Sequence, residues 1–373
     1  MDFEFSSEQQ LLADSARRYI AEQYSFERRK QILASAAGYS AAVWKDFADL
    51  GFLGLNVPEQ DGGLGGGPVE TLLLATAIGE GLVVEPYLSS AVVATRAIAR
   101  LGSPEQRDAW LGKLAAGEMM AVVVGDASLD GAGDGIRATA SGGGWELNGR
   151  VPVVYHAPAA DLLLVAARAG SGSGAPDALF AVPGRAAGVT RIPYVTVDSQ
   201  LAADVECHGV RIDATARLGK DVAAELAALF DFGLFALCAE ALGALDRCLA
   251  ITVEYTRTRN QFGGPIGRFQ ALQHRMVDML MRIEQARSLV YLAAARCDEP
   301  EATARESVLS AAKVLVSDAA RFVGQQAVQL HGGMGVSDEV AVSHYFKRLV
   351  ATEIRFGSGD AHLARYGRHL ATG

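Results

Sequence analysis

The chain has 373 residues, half of them hydrophobic and 21% charged, with a formal net charge of -9. That length allows two or three packed units at roughly 100–200 residues each, and the apolar share excludes a disordered chain. The acidic balance leaves no electrostatic footprint for nucleic acid.

Residues 1–117 read as helix after helix. The opening MDFEFSSEQQ is acidic and polar, unlike a signal or transit peptide. Ser6 and Ser7, followed by Gln9 and Gln10, form a capping-box start, and Leu11, Leu12, Ala16, Tyr19 and Ile20 follow at helical spacing. A second helix runs through Trp44, Phe47 and Leu50 to Gly51. The glycine run 62–67 lacks the lysine of a phosphate loop and follows no strand, so it reads as a flexible turn without chemistry. Gly102-Ser103-Pro104-Glu105 marks a helix stop and restart.

Residues 118–220 change period. Met120–Val124, a hairpin from Ile136 through the glycines 142–144 to Leu147, then Leu162–Val165, Leu179–Val182 and Val189–Val195 read as strands of a small β-barrel or sandwich. Gly170–Ala175 reads as a Gly/Ser loop. Residues 221–373 return to long helices, Ala223–Arg257, Gln270–Cys297 and Ala302–Leu330, of four-helix-bundle type. The order is α+β, and no GxGxxG follows a strand, which excludes a Rossmann fold.

The apolar stretch Leu226–Val253 is broken by Asp231, Glu240, Asp246 and Arg247, so it fails as a membrane span of ~20 uncharged residues. Cys207, Cys238, Cys248 and Cys297 show no CxxC spacing, so no metal site is expected; Cys238 and Cys248 fall inside an apolar helical pattern and read as buried free thiols, in a reducing compartment. The expected location is the cytoplasm.

Two motifs remain. Arg259-Asn260-Gln261-Phe262-Gly263 follows a long helix and precedes Pro265-Ile266-Gly267 and Phe269-Gln270-Ala271-Leu272-Gln273-His274. Further on stands Gln325-Gln326-Ala327-Val328-Gln329-Leu330-His331-Gly332-Gly333-Met334-Gly335. Arg259 offers a planar fork suited to a pyrophosphate oxygen. Phe262 and Gly263 suit a turn that lays an aromatic against a flat ring. The glycines after Gln329 permit a turn whose amides face an anion or an adenine edge. Taken alone, these residues fit a surface ion pair and a helix cap as well. His331, at a helix end, reads as a packing residue.

Together the motifs resemble the acyl-CoA dehydrogenase family over essentially the whole chain, and especially the small subunit of pimeloyl-CoA dehydrogenase-type heteromeric enzymes. The resemblance implies the acyl-CoA dehydrogenase fold: an N-terminal helical domain, a middle β domain and a C-terminal bundle. It implies FAD, an acyl-CoA substrate and an electron-transfer flavoprotein as acceptor. The implied reaction is α,β-desaturation: a carboxylate removes the α-proton while hydride leaves the β-carbon for the flavin, in fatty acid or steroid side-chain catabolism. It also implies that Arg259, Phe262, Gln270, Gln329, Gly332 and Gly333 reach the FAD of a neighbouring subunit.

The pattern breaks at the base. The family's late aromatic-Glu-Gly segment matches Phe356-Gly357-Ser358-Gly359-Asp360, with Gly357 at the glutamate. The alternative station, on the first helix of the last region, falls on Gly233-Leu234. The family's Trp-Ile-Thr matches Val153-Val154-Tyr155, and its Thr-Glu-Pro segment is replaced by Gly125-Asp126-Ala127-Ser128. Glu240, roughly 10 Å along the helix from Gly233, is a substitute base or a buried acid paired with an arginine. Asp231 and Glu353 read as a helix start and a solvated face. The expectation is a subunit without its own base, in an α2β2 heterotetramer with a homologous, catalytically complete partner. The alternatives are a homotetramer using Glu240 and a flavin-free structural or CoA-binding subunit.

Overall fold

The computed structural model describes residues 5–35, 37–125, 135–169, 175–220 and 222–372. In chain order the helices before the sheet are α1 (Ser7–Gln23), α2 (Phe26–Leu33), α3 (Ala41–Asp49), α4 (Pro68–Glu80), a π-helix (Tyr87–Ala94), α5 (Thr95–Leu101) and α6 (Pro104–Ala115). The strands are β1 (Ala121–Val124), β2 (Ile136–Ser141), β3 (Gly144–Tyr155), β4 (Leu162–Arg168), β5 (Ala178–Pro183), β6 (Val189–Val195), β7 (Leu201–Asp213) and β8 (Arg217–Leu218). Then come α7 (Ala223–Thr258), a small hairpin of β9 (Asn260–Gln261) and β10 (Gly264–Pro265), α8 (Gln270–Arg296), α9 (Ala302–His331), α10 (Ala341–Ile354) and α11 (Gly359–Thr372).

Contacts sort these elements into two units: Met1–Gln31 with Pro68–Val83 and Leu234–Gly373, and Ile32–Gly67 with Val84–Gly233. The three segments expected from sequence follow changes of hydrophobic period. The two units follow packing, which joins the first N-terminal helices to the C-terminal bundle.

Within the bundle unit, α1 begins with the capping box expected of it. The Ser6 Oγ accepts from the Gln9 amide, and the Gln9 side chain accepts from the Ser6 amide. The helices α4 and α7 cross on glycines. A Cβ at Gly79 would stand 1.8 Å from the Glu240 carbonyl oxygen, and one at Gly243 would stand 1.9 Å from that of Thr76. Only two bare backbones meet this closely. By length and composition α7 is able to span a membrane, yet 83% of its most apolar window is buried, so it is a core helix.

Within the other unit, the strands form one sheet in the order β6-β7-β3-β2-β4-β5-β8, with β1 parallel to β4. The predicted hairpin is β2–β3, turning at Gly142 and Gly143, both at positive φ. Trp145 on β3 and Phe180 on β5 lie three places apart in that order, roughly 14 Å along a flat sheet. Their ring centroids are 5.3 Å apart, so the sheet curls around a core that includes Val122, Leu147, Val165 and Val205. The 62–67 loop is firmly tied rather than flexible. The amides of Gly63, Gly65 and Gly66 donate to the carbonyls of Pro58, Val57 and Leu55, which leaves those groups nothing for a phosphate.

Candidate functional site

The two motifs meet at one end of the bundle unit. Tyr255, in the last turn of α7, stacks on His331, the last residue of α9, with ring centroids 4.3 Å apart and planes 24° from parallel. The His331 Nδ1–H donates to the Ala327 carbonyl at 2.8 Å, and burial pushes the imidazole pKa down. His331 therefore packs and orients. Arg259 follows one turn after Tyr255, its amide bonded to the Tyr255 carbonyl, and Gly332 follows His331 directly.

Arg259 opens the β9–β10 hairpin. The two turn residues, Phe262 at φ +53° and Gly263 at φ +84°, both lie in the left-handed region, as a two-residue type I′ turn requires. Phenylalanine rarely adopts that conformation, and its side chain is 80% exposed. At the end of α9, Gly332 sits at φ +60° and ψ -139°, which a side chain would not tolerate. A Cβ at Gly332 or Gly333 would meet nothing within 4 Å, so the turn faces open space. Arg259, Gln270 and Gln329 are all exposed, and among the described residues their side chains have no hydrogen-bond or ion-pair partner. A free guanidinium fork, two free amides, a presented aromatic ring and an open glycine turn fit the phosphate and adenine portions of a dinucleotide. The predicted cofactor residues are thus brought to one bundle end.

The two positions expected for the carboxylate, Gly233 and Gly357, are buried and bare. Gly233 lies inside α7, and Gly357 sits at φ +95° beside Phe356 at φ +56°. Phe356 carries no carboxylate either, so a shift of one residue in the matching leaves the station empty. The loop itself is firmly held. The fully buried Lys313 of α9 donates through Nζ to the carbonyls of Thr352 and of Arg355, the latter at 2.7 Å. The His362 Nε2–H donates to the Phe356 carbonyl at 2.8 Å, and its Nδ1 faces the Ser310 hydroxyl at 3.2 Å. Ser358 caps α11, its Oγ accepting from the Ala361 amide.

Glu240 is buried, and its Oε1 accepts from Arg348 Nη1 at 2.6 Å, while Arg348 Nη2 donates to the Val83 carbonyl at 3.2 Å. That is the arginine-paired arrangement. Asp231 is not a helix start: α7 begins at Ala223, and Asp231 is buried within it. Glu353 is no bare solvated face, because it pairs with Arg321.

On the sheet, Val153 stands at φ +54° where the β3–β7 register slips between Val151 and Val154. Two residues here oppose Asp204 alone, a β-bulge. The Val153 amide donates to the Tyr194 hydroxyl at 3.0 Å and to Asp204 Oδ1 at 3.1 Å. Tyr194 donates to the same carboxylate oxygen at 2.7 Å, and Arg150 pairs with Asp204. Burial alone raises an acid's pKa, but these donors outweigh it and hold Asp204 below the usual carboxylate range. Burial, then Asp204, pushes the Tyr194 hydroxyl up to about 12. Val154 points into the core and Tyr155 is half-buried. The Gly125–Ser128 departure, beyond Gly125, lies outside the described residues.

The comparisons with known proteins bear on this arrangement. Residues 6–118 match the model of the acyl-CoA dehydrogenase N-terminal domain, and residues 224–371 match that of the C-terminal domain. The chain is 33% identical over 353 residues, 92% of each chain, to the acyl-CoA dehydrogenase FadE27 of Mycobacterium tuberculosis. It superposes with a TM-score of 0.91 and 31% identity on a chain of the ChsE4-ChsE5 complex from Mycobacterium tuberculosis, covering 100% of both. A structure described as the FAD complex of PigA matches with a TM-score of 0.88 and 26% identity, over 100% of this chain and 99% of that one. The match of both family domains, together with 33% identity over 92% of each chain to one relative, makes this chain a member of the acyl-CoA dehydrogenase family.

Proposed function

We propose that the chain is an FAD-dependent acyl-CoA dehydrogenase subunit that lacks its own base and completes the FAD site of a homologous partner in an α2β2 heterotetramer. FAD, when bound, supplies the acceptor for the hydride leaving the β-carbon of an acyl thioester. Arg259 binds pyrophosphate oxygens through its fork. Gln270 and Gln329 supply neutral donors and acceptors, Phe262 covers a flat ring face, and the Gly332–Gly333 turn lets the cofactor approach backbone. The partner supplies the α-carbon base, and an electron-transfer flavoprotein takes the electrons onward.

One contrast carries this reading. The residues that face outward at the bundle end are kept and unpaired, while Gly233 and Gly357, which would act inside the subunit, have no side chain. The Val153 amide is also bonded to its own unit rather than left for a ligand. The heteromeric ChsE4-ChsE5 relative supports the same assembly. A homotetramer using Glu240 is disfavoured by the Arg348 pair, since a base already committed to a buried guanidinium makes a poor proton acceptor.

Native mass spectrometry of the protein purified with its co-purifying chains tests the proposal by counting chains and flavins. One FAD per unlike pair, lost on Arg259→Ala, is the expected result. A homotetramer with one FAD per chain, bleached by acyl-CoA and silenced by Glu240→Gln, sinks it. Flavin content indifferent to Arg259→Ala in a mixed complex favours a flavin-free structural or CoA-binding subunit instead.

A further inference from the structure

The hairpin that presents Arg259 and Phe262 is too short to hold itself. Two-residue strands with one turn are marginal alone in water, and Pro265, on one of them, has no amide hydrogen to give. Its stem is anchored: the Ile266 amide donates to the Arg259 carbonyl at 2.9 Å, and Gln273 Nε2 donates to the Gly267 carbonyl at 2.9 Å. The turn is where the strain lies, with Phe262 and Gly263 both left-handed.

One side chain reaches over that turn. Arg268 donates through Nη2 to the Phe262 carbonyl and through Nη1 to the Gly263 carbonyl at 3.3 Å. Its guanidinium carbon lies 5.2 Å from the centroid of the Phe269 ring, and that ring meets Phe262 edge-on at 6.2 Å. The rigid fork of arginine matches two adjacent carbonyls, which a lysine ammonium does not. Gly264 makes room for it: a Cβ there would stand 2.9 Å from Arg268 Nη1.

We infer that Arg268 is a positioning residue, which fixes the left-handed Phe262–Gly263 turn so that Phe262 and Arg259 are presented in one geometry. The inference rests on the proposed role of the hairpin in the partner's FAD site. The rival explanation is that Arg268 only adds positive charge near an anionic cofactor. Two variants separate these roles. Arg268→Lys keeps the charge and loses the fork, whereas Gly264→Ala keeps Arg268 and displaces it.

The experiment measures the FAD dissociation constant of the flavin-stripped heteromer by flavin fluorescence, alongside its thermal unfolding. Arg268→Ala, Arg268→Lys and Gly264→Ala are each expected to weaken FAD roughly tenfold, the scale of two modest hydrogen bonds lost together. Arg268→Ala and Gly264→Ala combined should weaken it no further than either alone, and the unfolding midpoint should not move. Wild-type affinity in both Arg268→Lys and Gly264→Ala overturns the inference. Arg259→Ala and Phe262→Ala serve as controls: if they weaken FAD while the Arg268 and Gly264 variants do not, only the positioning role falls. If neither control weakens FAD, the reading of the hairpin falls with it.

Discussion

Two regions of the bundle unit contrast in how their polar groups are used. At the hairpin end, Arg259, Gln270 and Gln329 are exposed and unpaired, and the backbone is strained to present a ring to solvent. At the 355–359 loop, a buried lysine and a buried histidine spend their donors on backbone carbonyls around a residue with no side chain. An unpaired polar surface costs a soluble protein little, whereas a buried cation is costly unless its bonds are made. The first region leaves these groups available, as the proposed role in a partner's FAD site requires. The second is arranged to hold its own backbone in place, with every one of these donors committed inside the unit.

The contrast predicts that substitutions in the interior cost stability and substitutions at the hairpin end cost only ligand. The largest effect is expected from Arg348→Ala. It leaves Glu240 buried without its guanidinium, and breaking such a pair costs on the order of 3–5 kcal/mol. Urea unfolding should show a lower midpoint with little change in slope. A stability loss below 1 kcal/mol would mean that water reaches Glu240, and that would reopen it as a base.

Lys313→Met comes next. It removes the donor from two carbonyls at the end of α10, at roughly 1–3 kcal/mol for each group left unsatisfied. The same variant should leave the FAD affinity of the heteromer unchanged. Weaker FAD at unchanged stability would dissolve the contrast between the two regions. Gln329→Ala is the mirror case: no stability change and a loss of FAD affinity of a few-fold, as for one neutral hydrogen bond. Equilibrium unfolding and flavin fluorescence on the same samples distinguish the two patterns.

Much of this was legible in the sequence because the signals were local. The long helices α7, α8 and α9 end within two residues of their expected bounds, since glycine, proline and apolar period mark them. The strand Leu201–Asp213 was not, because Asp204, Glu206, His208 and Arg211 dilute its apolar positions and it is held by β3 and β6 on either side. The π-helix Tyr87–Ala94 left no turn signal either. The outward residues proposed to meet the cofactor were legible as motifs. What holds them was not: Arg268 sits in the gap between two motifs, and its role depends on where two carbonyls point. Lys313 gave one usable hint, a lone lysine within Ala311–Val316, but its partners lie 39 and 42 residues away in sequence.

The smallest predicted effect is on pH, and it again separates the two regions. His344, in the interior, accepts from Arg29 Nη1 through Nδ1 at 3.0 Å and donates from Nε2 to the Asp338 carbonyl at 2.9 Å. Burial pushes its pKa down, with Arg29 and Lys347 adding to the shift and Asp338 opposing it. His331, at the hairpin end, is lowered by burial, while its bond to Ala327 opposes the shift and no cation is involved. In both cases the folded pKa lies below the unfolded one, so the unfolded chain binds the proton first. Stability is therefore complete above the ordinary histidine value and falls as pH drops from there towards the folded pKa, by at most about 1.4 kcal/mol per pH unit for each histidine. A charged His344 would also face Arg29 at 3.0 Å. His344→Asn should accordingly flatten the acid limb of the stability profile more than His331→Asn does. Equal flattening would mean that burial alone sets both values and that the interior cluster of cations adds nothing.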